Sequence, residues 1–168
     1  MRILFKMTAS LLHRVREDLR RPHEFAAERV GFLSCRVGAL EEPRGLIILA
    51  HDYLSVADGD YVNDSTVGAM MGSEAIRKAL QFAYNNEVGM FHVHVHNHCG
   101  MPRPSHTDLN ETAKFVPDFW HVRPQMAHGA IIVSRDSLSG CCWSPGQAKP
   151  ADIVKFTIVG PRITSLWG

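Results

Sequence analysis

Residues 88–108 read VGMFHVHVHNHCGMPRPSHTD. Apolar and histidine side chains alternate from Phe91 to His96 with the period of a β-strand, so His92, His94 and His96 face one side and Phe91, Val93 and Val95 the other. The loop NHCGMPRP then leads to Ser105, a residue suited to cap a helix through HTDLNETAKFV, which Pro117 is expected to stop. A histidine face thus runs directly into a capped helix that begins Ser105-x-x-Asp108.

Upstream, Ser73 precedes EAIRKALQFAYNN, where Ile76, Ala79, Leu80 and Ala83 recur at helical spacing and Asn85-Asn86 makes an end. Before that come RVGFLSCRV and GLIILAHDYLSV, rich in branched residues and joined by ALEEPR, whose Pro43 marks a turn; they read as neighbouring antiparallel strands. The segment ADGDYVNDSTVG has no period and reads as a surface loop. Thr8 or Ser10 can cap a helix through LLHRVREDLRR, with Leu11, Leu12, Val15 and Leu19 near one face and Pro22 at its end, so a helix is expected to open the fold. Downstream, GAIIVS and VKFTIV read as further strands. The expected class is α/β (α+β), a mixed, mostly antiparallel sheet flanked by helices, in one domain over residues 1–168 with no internal repeat.

Composition narrows the function classes. A formal net charge of +1 supplies no field that would gather nucleic acid or an anionic membrane. Lys6 interrupts the apolar start and no small-residue cleavage site follows, so no signal peptide is expected; no apolar run approaches the roughly 18 residues of a membrane span. Cys35, Cys99, Cys141 and Cys142 lack the Cys-x-x-Cys spacing of a zinc knuckle or redox site and suit reduced thiols in a cytoplasmic protein.

One histidine on a strand is most often only a polar face residue. Several in alternation, followed by Ser105 and Asp108, put imidazole nitrogens and a carboxylate within reach of one point if the loop folds back. Two His and one Asp leave the fourth tetrahedral position of a zinc ion open, the arrangement of a hydrolytic rather than a structural site.

The stretch resembles the signature of the JAB/MPN (JAMM) zinc metalloproteases: His-x-His, a spacer of about seven residues, then Ser-x-x-Asp, with Gly100, Pro102 and Pro104 similar to the spacer of bacterial members. The family pairs that signature with Glu-x-x-Gly early in the chain, which Glu28-Arg29-Val30-Gly31 matches; Glu24 stands nearby as a competitor. The resemblance runs from about residue 8 to 160, taking in HGAIIVSRDSLSGCCW. It departs in having Val or Asn between the histidines and no Pro after them, and the family spacing counted back from Ser105 falls on Asn97. His94 with His96, His96 with His98, and His92 with His94 are therefore all open registers, with His94 and His96 preferred because lengthening a loop by one residue costs little.

The resemblance implies Zn2+ held by His94, His96 and Asp108, Glu28 as general base, and Ser105 as hydrogen-bond donor to the developing oxyanion, with His98 beside the site. It implies an isopeptidase acting at the C-terminus of a ubiquitin-like protein, on conjugates or on a precursor, with the cognate activating and conjugating enzymes as further partners. Minimal bacterial members belong to ubiquitin-like conjugation operons with antiviral roles. Residues 55 to 72 are the expected contact loop for an extended tail. The competing implication is a catalytically silent scaffold. His-x-His also occurs in amidohydrolases, which need a longer barrel, and in metallo-β-lactamases, whose following Asp-His pair Asn97-His98 does not supply.

Overall fold

The computed structural model describes residues 1–41, 44–64, 66 and 68–167. Nine strands form one mixed sheet: β1 (Arg2–Thr8), β2 (Val30–Leu40), β3 (Gly45–Ser55), β4 (Gly89–Val95), β5 (His128–Val133), β6 (Leu138–Trp143), β7 (Ala151–Asp152), β8 (Lys155–Val159) and β9 (Thr164–Trp167). Three α-helices accompany it: α1 (Ala9–Leu19), α2 (Ser73–Asn86) and α3 (His106–Val122). The strand order is β7-β6-β5-β4-β2-β3-β1-β8-β9. Only the β1·β3, β1·β8 and β4·β5 pairs run parallel, so the sheet is mixed and mostly antiparallel. Pro43, expected in the β2–β3 turn, lies outside the described residues.

A strand, not a helix, opens the fold. In RILFKMT the side chains of Ile3, Phe5 and Met7 are buried while Arg2, Leu4 and Lys6 are only partly so. That period-two pattern is a half-buried strand's, and Lys6, which interrupts the apolar run, falls at one of its outward positions. Thr8 then accepts a hydrogen bond from the Leu11 N–H at 3.1 Å and starts α1, which ends at Leu19, before Pro22.

Pro117 does not stop α3 but sits inside it. Lacking an N–H, it leaves a carbonyl one turn back without its helical partner, a cost of about 3 kcal/mol. Phe115, Val116 and Phe119 are buried on either side of it, and each can return about 1.5–3 kcal/mol. Packing overrides the local preference. The expected cap of α2 is also displaced: Gly72 occupies the N-cap position without a side-chain bond, and Ser73 is already helical.

The sheet separates two apolar clusters. On one face α1 covers Ile3, Phe5, Leu33, Ile48, Phe91, Val93, Ile131 and Phe156. On the other, α2 and α3 cover Val30, Phe32, Met90 and Trp143. The histidine side of β4 belongs to this second face, under α3. Among the described residues no helix is long and apolar enough to cross a membrane.

His128 ties the layers together: its Nδ1 accepts from the Met90 N–H at 3.1 Å and its Nε2 faces the Arg123 carbonyl at 3.2 Å. Burial pushes its pKa down to about 4 from 6.5, partly opposed by the bond to Arg123. The unfolded chain therefore binds an extra proton between those values, and stability falls as pH drops from 6.5 toward 4, by roughly 3 kcal/mol for a shift of that size. We expect urea midpoints that decline through this window in the wild type and decline less in His128→Gln, read by tryptophan fluorescence.

Candidate metal centre

The residues that β4 and α3 bring together are His94, His96 and Asp108, whose ligand atoms all lie within 4.8 Å of one another. Nε2 of His94 and Nε2 of His96 are 3.1 Å apart. Asp108 straddles them, Oδ1 at 3.3 Å from His94 and Oδ2 at 3.5 Å from His96. A tetrahedral ion with bonds of about 2.0–2.1 Å separates its ligand atoms by about 3.3 Å. Three metal-ligand atoms at that spacing, two nitrogens and a carboxylate, fit a divalent metal with the remaining position open.

Asp108 is aimed by the start of α3. The Ser105 N–H donates to Asp108 Oδ2 at 2.7 Å, and the Asp108 N–H donates to Ser105 Oγ at 3.1 Å, a reciprocal capping box. Ser105 Oγ therefore acts as an acceptor there, and its own proton stays available for another group. Burial raises the Asp108 pKa, but the hydrogen bond from His94, the His94 charge and the contacts of Ser105 outweigh it and hold the carboxyl well below its ordinary range. His96 is pushed down by burial first and by His94 second, which favours the neutral, ligating imidazole.

The other histidines do not join. His92 lies on the same face but its ring packs against Phe115 at 5.2 Å and Phe32 at 5.8 Å, and burial pushes its pKa down to about 3. Both its ring nitrogens and Nδ1 of His94 are buried without a partner among the described residues. His98 is exposed and turns Nδ1 to the Cys99 carbonyl at 2.8 Å. Of the three registers open in the sequence, His94 with His96 is the one whose nitrogens converge on Asp108.

Glu28 reaches the same cleft from just before β2. The cleft, about 490 Å³, is lined by Glu28, His92, His94, His96, Ser105 and Asp108, with Met70, Met71 and Phe115 as apolar wall. The charge of Glu28 acts on His96. Glu24 is exposed and is not among the residues that line the cleft. From the expected contact loop, Thr66, Gly68, Ala69, Met70 and Met71 line it, while Ser65 and Val67 lie outside the described residues. A second cleft of about 400 Å³, walled by Met101, Leu109, Ile132 and Ile153, meets the first at His94 and Asp108.

Three local features around residues 28–31 depend on distant partners that spacing along the chain does not show. The Glu28 N–H donates to the Gly68 carbonyl at 3.0 Å, and a Cβ on Gly68 would come within 3.1 Å of the Glu28 carboxyl carbon. A Cβ on Gly31 would overlap the Tyr53 ring, whose hydroxyl donates to Asp18 at 2.6 Å, so the glycine of Glu-x-x-Gly makes room for a tyrosine. Arg29 is 2% exposed and donates to Asp58 at 2.7 Å and to the carbonyls of Arg21 and Pro22 at 2.8 Å. A charged residue in a short strand-entry segment gives no sign in sequence that it will be buried this way. All four cysteines are free thiols, and Trp143 is core.

No protein-family model matches the chain, and no curated protein matches it. Among solved structures the Trichoplax adhaerens STIL N-terminal domain is similar over 83% of this chain at 10% identity with a TM-score of 0.39, and the match spans 40% of that protein's chain. A likeness that loose supports no inference about this chain.

Metal bound only by the folded state raises stability by mass action. Added Zn2+ or Co2+ should raise the Tm of metal-free wild type by several degrees in differential scanning fluorimetry, and His96→Ala or Asp108→Ala should remove most of that rise.

Proposed function

We propose that this chain is a zinc-dependent isopeptidase of the JAB/MPN (JAMM) type that cleaves after the C-terminus of a ubiquitin-like protein, from conjugates or from a precursor. The observation that carries this reading is the convergence of His94, His96 and Asp108 at tetrahedral spacing, in one cleft with Glu28 and Ser105. The paired motifs that resemble the family are the ones that supply these five side chains.

Zinc held by His94, His96 and Asp108 would supply Lewis acidity, making water a stronger acid and an amide carbonyl more electrophilic. Glu28 takes the proton that the attacking water loses and returns it to the departing lysine amine as the amide C–N bond breaks, leaving a carboxylate and a free amine. Ser105 donates its free proton in a hydrogen bond to the oxyanion, a contact that commonly contributes about 3 kcal/mol to the transition state. The capping box serves both the metal and this donor, since it fixes Asp108 and Ser105 relative to each other. An extended tail entering the cleft would pass Met70 and Met71 of the loop before α2.

The test is a set of purified proteins scored for zinc by elemental analysis and for cleavage of ubiquitin-like fusions. Wild type should hold about one zinc per chain and lose cleavage to a chelator. Asp108→Ala should lose both. Glu28→Gln should keep zinc and lose about 10²–10⁴-fold in kcat. A wild type without zinc or cleavage that still binds partners would instead establish a scaffold.

A further inference from the structure

The sheet face that carries the histidines is covered over only part of its width. Helices α2 and α3 pack over β4, β5 and the first half of β2, and no cluster on that side includes β1, β8 or β9. The alternation of buried residues and the strand register define what those strands present. One rung across five strands is Gly38, Ile47, Leu4, Lys155 and Trp167. The next is Arg36, Leu49, Lys6, Thr157 and Ser165. Every neighbour of these on its own strand that is buried, such as Phe5, Ile48, Phe156 and Ile158, points to the opposite core.

The two rungs hold aliphatic and aromatic groups, three cations and no acid. Leu49 is 43% exposed and Trp167 61%, and the Lys155 ammonium lies 4.7 Å from the centre of the Trp167 ring. Arg36, Lys6 and Lys155 form no ion pair among the described residues. Arg2 shares the face one step on, toward the turn that carries Glu41. Singly exposed apolar residues are ordinary, but a registered face on which apolar side chains alternate with cations that have no acidic partner among the described residues is the layout of an interface.

We propose that this bare face of β2, β3, β1, β8 and β9 docks a partner protein whose contact surface interleaves aliphatic and acidic side chains. Charge complementarity selects that occupant. A second copy of the chain would bring Arg36, Lys6 and Lys155 against their equivalents, a like-charge contact. Single-stranded nucleic acid needs aromatic platforms for its bases, and this face has one aromatic ring, already capped by Lys155. A membrane needs a contiguous protruding apolar cluster, whereas the exposed Leu49 and Trp167 stand on β3 and β9 with β1 and β8 between them, and Leu4 and Ile47 are half-buried. The face lies apart from the metal cleft, so this docking stands independently of the isopeptidase reading.

The test is an amide nitrogen–proton NMR titration of the full chain with a soluble peptide of glutamates interspersed with leucines and with its lysine-for-glutamate counterpart. The expected result is shifts confined to β1, β3, β8, β9 and the second half of β2, with affinity at least about tenfold higher for the acidic peptide and falling with salt. The double variant Lys6→Glu, Lys155→Glu, its fold confirmed by its own spectrum, should reverse that preference. Shifts elsewhere, equal binding of the two peptides, an unchanged preference in the variant, or tighter binding of oligothymidine or phosphatidylserine vesicles would each overturn the proposal.

Discussion

Strand β4 has to satisfy two surroundings at once, and the strict alternation of its side chains is how it does so. Phe91 and Val93 complete the apolar cluster under α1, while His92 and His94 point to the layer under α3. A shift of one residue would bury the histidines in the larger core and turn Phe91 into the layer under α3 where the ligands converge. The register with β2 pairs Val30 with His94 and Phe32 with His92, so it also sets where Glu28, just before β2, meets the histidines. Placing the candidate ligands and placing the core are one constraint.

Much of this was readable in the sequence because it rests on local periodicity. The alternation in VGMFHVHVH predicts the strand and the shared histidine face, and Ser105-x-x-Asp108 predicts the cap that in the structure also orients the carboxylate. The antiparallel pairing of β2 with β3 follows from two branched runs around a turn signal. What stayed hidden depends on distant partners. The opening strand alternates legibly, but its neighbours β3 and β8 lie far along the chain, and seven residues do not show which strands they join. Pro117 inside α3 is permitted by Phe115, Val116 and Phe119 finding a core that other segments build. The choice among histidine registers required the path of the loop from His96 to Ser105, which spacing does not specify.

The glycines tell the same story at smaller scale. Gly31 and Gly68 look alike in sequence, yet one clears the Tyr53 ring and the other clears the Glu28 carboxyl. Both give room to a side chain through space rather than through turn conformation, and Gly68 does so for Glu28. Glu28 is thus placed by Gly68, whose carbonyl takes its N–H and whose lack of a side chain leaves room for its carboxyl.

The parallel pairing of β1 with β8 has a consequence for the order in which the chain can fold. Leu4 meets Lys155 and Thr8 meets Val159, so the first strand waits for nearly the last before its outer edge is satisfied. Contacts across that much chain carry a large loop-closure cost and form slowly. Glu28, His94, His96 and Asp108 have all left the ribosome before β8 exists. The nascent chain therefore holds its candidate ligands while β1 still exposes an unpaired edge, the condition under which strands join the wrong neighbour.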